Sequence, residues 1–167
     1  MTYSKNMRPI MRQWRAVNLD SLVSGYIEAA LWSSSPYPTE EEEAQGVAMP
    51  VDFLGFELSD SFNQTMRDRV ARTLAKRSTR ALFRIATLRG IKKEGVSAYT
   101  RHTWTYDDDQ FGHDLWLTEN GHGVGFWCRD ELEIDIQGES LGDRLTDAVR
   151  YREAYLYLDD QQQVCID

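Results

Sequence analysis

The chain has 167 residues, enough for one domain with its own core, and 41% hydrophobic with 28% charged residues is the composition of a soluble globular protein. No apolar run approaches the roughly 18 residues that a membrane span needs. The basic start "MTYSKNMRPIMRQWRAV" lacks an apolar stretch and a small-residue cleavage site, so no membrane contact is expected and the chain reads as cytoplasmic. The net charge of −8 is uneven: residues 1–101 hold 15 Lys+Arg against 11 Asp+Glu, and residues 102–167 hold 4 Arg against 16 Asp+Glu, which disfavours nucleic acid as a ligand of the second part and suits a basic partner.

In chain order, residues 1–17 read as a flexible arm, with Arg8, Arg12 and Arg15 at helical spacing. "NLDSLVSGYIEAALWSS" predicts a helix capped by Asn18 or Asp20, with Leu22, Val23, Tyr26, Ile27, Ala30 and Leu31 on its apolar face. Residues 33–57, with three prolines and four consecutive glutamates, read as a long acidic loop that "FLGF" anchors to the core. "SDSFNQTMRDRVARTLAK" predicts a second helix, capped by Ser59 or Ser61, with Phe62, Met66, Val70 and Leu74 inward. "STRALFRIATLRG" continues or restarts it, with Leu82, Ile85 and Leu88 inward and Gly90 as its stop.

This segment, 59–90, is basic. Arg72, Lys76, Arg80 and Arg84 recur every fourth residue, so in one continuous helix they form a stripe with steps of about 6 Å. Like charges so placed need neutralising, by the acidic part of the chain, by phosphates or by a partner. From Arg67 to Lys93 only Phe83 is aromatic, so a platform for stacking single-stranded bases is poorly supported. "VSAYTRHTWTY" then reads as a strand and "DDDQF" as an acidic turn.

Residues 112–127, "GHDLWLTENGHGVGFW", are the densest stretch. Asn120-Gly121 between strand-like residues is a strong hairpin signal. In that register Leu115, Leu117, Val124 and Phe126 share a core face, and Trp116, Trp127, Asp114 and Arg129 share the other with Gly123 and Gly125. That second face is either covered core or an open partner-binding patch. His113 and His122 would stand about 20 Å apart, too far to share a metal ion, and no metal site is expected. His113 opposite Cys128, beside Asp114, is a candidate nucleophile and base cluster, but no elbow or glycine-rich approach surrounds the thiol. Cys128 and Cys165 otherwise read as free thiols.

Ser140 caps a third helix in "LGDRLTDAVRYRE", with Leu141, Leu145, Ala148 and Val149 inward, and Tyr155–Leu158 with Gln163–Ile166 form a terminal hairpin turning on "DDQQ". The expected fold is α+β, one domain, with an antiparallel sheet of about four strands from two C-terminal hairpins, packed by the N-terminal helices and one helix between the hairpins.

"GHDLWLTENGHGVGFWCRD", "LGDRLTDAVR", the terminal "YLYLDDQQQVCID" and the early "GYIEAALWSS" resemble a group of short bacteriophage proteins that share a GHDxWLTxNGHGxGFW core. The resemblance spans residues 19–35 and 112–167, with 67–111 as an expansion. It implies a phage or prophage protein in a bacterial cytoplasm, and no activity, cofactor or catalytic residue. By analogy with small phage proteins it suggests a non-enzymatic binder of a host or phage protein, counter-defence included. Two alternatives are a nucleic-acid-associated protein using the basic segment 67–93, and a small hydrolase or metal enzyme around His113, Asp114 and Cys128.

Overall fold

The computed structural model describes residues 17–34, 44, 46, 52–89, 94–97, 100–103, 106–149 and 151–167. The expected arm, except for Val17, most of the acidic loop and the stop at Gly90 lie outside them. The described residues are α+β, with five α-helices and a three-stranded mixed sheet around one apolar core, and a separate two-stranded hairpin. No helix among them is long and apolar enough to cross a membrane.

Helix α1, Leu19–Ser33, starts at Asn18, whose side chain accepts from the Ser21 backbone N–H. Leu22, Val23, Tyr26 and Ala30 are buried as expected, joined by Gly25 and Ala29. The chain re-enters the core at Phe53, which is fully buried and whose N–H donates to the Leu31 carbonyl, 3.0 Å. That is the anchoring expected of "FLGF".

Strand β1, Glu57–Leu58, leads through Ser59 into α2, Asp60–Ala75. Ser59 caps α2 and also donates to the Val164 carbonyl, 3.0 Å, tying the helix start to the sheet. Phe62, Met66, Val70 and Leu74 all face the core. Lys76 leaves the helical conformation (φ −67°, ψ 123°), and α3, Arg77–Arg89, restarts beyond it. The basic stripe is therefore not one straight line. The inner face of α3 is Thr79, Phe83 and Ala86, while Leu82 and Ile85 are half-buried at its margin.

The strand expected over 96–106 is a hairpin, β2 Glu94–Ser97 with β3 Thr100–Thr103, paired antiparallel. The larger correction follows it. Residues 112–119 are not a strand, and Asn120-Gly121 is not a hairpin turn: Asp108–Glu119 form helix α4. "DDDQ" is its start. Asp107 caps the Gln110 N–H, and Asp108 and Asp109 lie in the first turn, where the helix dipole favours acids. Asn120-Gly121 is its end. His122 N–H reaches back to the Leu117 carbonyl, 3.0 Å, and Gly121 N–H to the Thr118 carbonyl, 3.4 Å, a Schellman closure with Gly121 at φ 69°. A type I′ turn and this helix stop both need positive φ at glycine, so the dipeptide by itself does not separate them.

Two short 3₁₀ turns, Phe126–Cys128 and Asp130–Leu132, follow, then α5, Leu141–Ala148, capped by Ser140 with Leu141 and Leu145 buried. The terminal hairpin stands as read: β4 Leu156–Leu158 pairs antiparallel with β5 Gln163–Ile166. β1 adds to the other side of β5 in parallel, giving the order β1-β5-β4. The four-stranded antiparallel sheet is replaced by this sheet, because its first hairpin is α4.

Helix α4 lies against α1 at close range. A Cβ added at Gly112 would fall inside the Leu22 carbonyl group, and one at Gly25 inside the Asp109 carbonyl group. Each is backbone of the other helix and cannot swing aside. Gly112→Ala should therefore cost about 3 kcal/mol or prevent folding, whereas Gly123→Ala, with no atom near its Cβ position, should stay within about 0.5 kcal/mol of wild type. Denaturant unfolding of the two variants checks this.

Candidate functional site

Because α4 is buried on nearly all sides, its charged side chains are answered inside the protein. At its start, buried Asp108 accepts the Asn18 N–H, 2.9 Å. In its middle, Asp114 is fully buried and accepts from Arg129 Nε (2.9 Å to each carboxylate oxygen), the Tyr106 hydroxyl (2.9 Å) and Gln110 Nε2 (3.1 Å), with His113 Nδ1 at 3.3 Å. Burial pushes the Asp114 pKa up, but the hydrogen bonds from His113, Arg129 and Tyr106 outweigh it and hold the group below its ordinary value. At its end, Glu119 accepts the Tyr26 hydroxyl on Oε2 (2.6 Å) and the Thr73 hydroxyl on Oε1 (2.7 Å), with the Arg69 guanidinium 3.9 Å away. Arg69 also donates to the Tyr26 hydroxyl, 2.9 Å, and to the Arg152 carbonyl, 2.6 Å.

The expected partner-binding face is split by this geometry. Trp116 is fully buried, edge-on to Tyr26 at 5.2 Å, under the Arg69 guanidinium at 5.7 Å, with its indole N–H donating to Ser33 Oγ, 3.0 Å. Trp127 is 41% exposed in the turn after α4. Asp114 and Arg129 are an internal ion pair, not the margin of a patch. A strand alternates its side chains between two faces, but this central helix buries nearly all of them, Trp116 included, so no Trp116/Trp127 surface exists.

Of the expected catalytic cluster, His113 and Asp114 meet, but no hydrogen bond joins His113 to Cys128 among the described residues. His113 is half-buried and stacks on Trp32 at 5.6 Å, while the exposed Cys128 thiol donates to the Gly125 carbonyl, 3.1 Å, and accepts the Gly125 N–H, 3.2 Å. Cys128 is thus used locally, and the facing pair His113–Cys128 falls with the hairpin that predicted it. The spacing argument about the two histidines falls with it too. Among the described residues no group of three or more His, Cys, Asp or Glu is placed to hold a metal ion.

His122 has different company. Its Nε2 lies 3.4 Å from Ser33 Oγ, on a cleft of about 180 Å³ that Asn120 and Glu153 help to line. Desolvation lowers its pKa, favouring the neutral ring.

The basic stripe gives the most accessible feature. Arg72, Lys76, Arg77 and Arg80 are exposed around the bend between α2 and α3, and Arg84 is half-buried. Among the described residues, Lys76, Arg77 and Arg80 form no ion pair, and Arg72 Nε donates only to the Asp68 carbonyl of its own helix, 3.1 Å. Behind the bend is a cavity of about 450 Å³ lined by Arg72, Thr73, Lys76, Glu119, Tyr151 and Arg152. Sequence reasoning missed Arg69, Thr73, Glu119, Tyr151 and Arg152. One signal was available: Arg69 falls three residues after Met66, on the apolar face of α2, where a charge implies a buried partner.

No family model, no curated protein and no solved structure matches the chain.

Two measurements test this arrangement. Trp116→Ala should destabilise the protein by about 3–5 kcal/mol, and Trp127→Ala by less than about 1 kcal/mol, in the same unfolding assay. Acid should destabilise the fold in two stages. His122, held neutral by burial, binds its proton more readily in the unfolded chain, so stability falls as pH drops below about 6.5. Asp114, held ionised, loses its contribution only as pH falls below the ordinary carboxylate value of about 4. His122→Gln should flatten the first stage and leave the second, as read from the melting temperature between pH 8 and 3.

Proposed function

We propose that this chain is a non-enzymatic binding protein that docks on an acidic surface of a partner protein through the α2–α3 corner. The observation that carries the reading is the set of exposed cations Arg72, Lys76, Arg77 and Arg80 with no carboxylate against them among the described residues. Adjacent like charges repel, and a docked acidic surface would relieve that. The 16 acids against 4 Arg in residues 102–167 would repel an extended polyanion, which favours a partner with a limited acidic patch. In this reading the setting is the one that the phage resemblance implies: a bacterial cytoplasm, with a host protein, defence components included, as the target.

A nucleic-acid partner is the second reading, supported by the cavity that joins Arg72, Lys76 and Arg152 to the Tyr151 ring.

Affinity capture from a bacterial lysate, run in parallel with wild type and Arg77→Glu/Arg80→Glu, separates the two. The expected outcome is a protein retained by wild type, released between about 50 and 200 mM salt, absent with the charge-reversed variant and indifferent to nuclease. Retention that survives charge reversal would remove the corner as the contact. Loss on nuclease treatment would transfer the reading to nucleic acid.

A further inference from the structure

The cavity at the α2–α3 bend has a chemistry that simple docking does not use. Its volume, about 450 Å³, is that of a small-ligand site. Three of its six lining side chains, Arg72, Lys76 and Arg152, are cations. The one carboxylate on the wall, Glu119, is 3% exposed and already engaged by Tyr26, Thr73 and Arg69, so it opposes an incoming anion weakly. The segment that carries Arg152 is held from both sides: its N–H donates to the Glu119 carbonyl and its carbonyl accepts from Arg69, each at 2.6 Å. Beside it the Tyr151 ring, 60% exposed, rests on Gly121, where a Cβ would stand 2.7 Å from the ring edge. The backbone that carries Arg152 and the Tyr151 ring are thus held before any ligand arrives.

We infer that this cavity binds a nucleoside phosphate. The phosphate lies among Arg72, Lys76 and Arg152, where charge-assisted hydrogen bonds are strongest, and the base stacks on Tyr151. A phosphate alone would fill a small part of the space, and an apolar ligand would leave three cations facing it. The inference goes beyond the docking reading, with which it shares Arg72 and Lys76. The nucleotide is either free or the phosphorylated end of a strand.

Isothermal titration calorimetry on the full chain tests it with AMP, adenosine, inorganic pyrophosphate, and oligothymidylate with and without a 5′-phosphate. AMP should bind, with adenosine weaker by about tenfold or more, and Lys76→Glu or Arg152→Glu, both exposed positions, should weaken AMP by about the same factor. Tyr151→Ala should weaken AMP about fivefold or more and leave pyrophosphate unchanged. Preference for the 5′-phosphorylated oligonucleotide over AMP would assign the strand end, and the reverse the free nucleotide. Absence of heat with AMP and pyrophosphate at about 1 mM, or AMP binding indifferent to Tyr151→Ala, overturns the inference. Arg77 and Arg80 are off the cavity wall. Arg77→Glu/Arg80→Glu should therefore abolish partner capture while sparing AMP, so the two readings fail separately.

Discussion

Glu119, at the last turn of a buried helix, is the charge around which the rest of the structure is arranged. Tyr26 from α1, Arg69 and Thr73 from α2, and the Arg152 N–H from the segment before β4 all converge on this residue. Burying a carboxylate without such partners would cost several kcal/mol. The four contacts therefore set how α1, α2 and the C-terminal segment sit around α4. The Tyr26 hydroxyl illustrates how tightly the group is coupled. Burial is the largest effect raising its pKa, and the Glu119 charge adds to it, so it remains a donor to Glu119. Removing one member would leave the others buried without their partner.

The same constraint shapes the surface. Arg69 is buried on the inner face of α2 with Met66, Val70 and Thr73, while its basic neighbours Arg67 and Arg72 are exposed. Lys76 then breaks the helix and, with Thr73 and Glu119, lines the cavity beside the bend. The cations of the corner and the buried ion pair are thus two products of one bent helical segment. The densest motif in the chain serves mainly to build this frame. Gly112 admits α1, Asp114 holds Arg129, Trp116 fills the core, and Gly121 stops the helix beneath Tyr151.

The elements with an apolar face on one side were legible from their spacing. α1, α2, α5 and the terminal hairpin have the caps and most of the inward residues that periodicity predicts, although α5 stops at Ala148 and not at Glu153. α4 was not legible that way, because a helix buried on nearly all sides has little amphipathic period. Its residues Leu115 to Leu117 then resemble a strand. Its ends were the better guide: three aspartates with Gln110 at one end and Asn120-Gly121 at the other mark a helix start and stop. Read as a strand, residues 112–119 place every side chain on a face that does not exist in the helix. The Trp116/Trp127 patch and the His113–Cys128 pair were consequences of that single reading.

By itself the sequence determined composition, the lopsided charge, the helix caps and the spacing of the cations at 72, 76, 80 and 84, all of which depend on residues near one another in the chain. Tertiary structure alone decided which charges are spent internally. Arg69 and Arg129 are as basic in the sequence as Lys76 and Arg80, yet the first two face buried carboxylates and the others face solvent. The difference is the position of Glu119 and Asp114, one 50 residues further along the chain than Arg69 and the other 15 before Arg129. Pairing across such separations depends on how distant elements pack, as where Gly25 and Gly112 let α1 and α4 meet backbone to backbone.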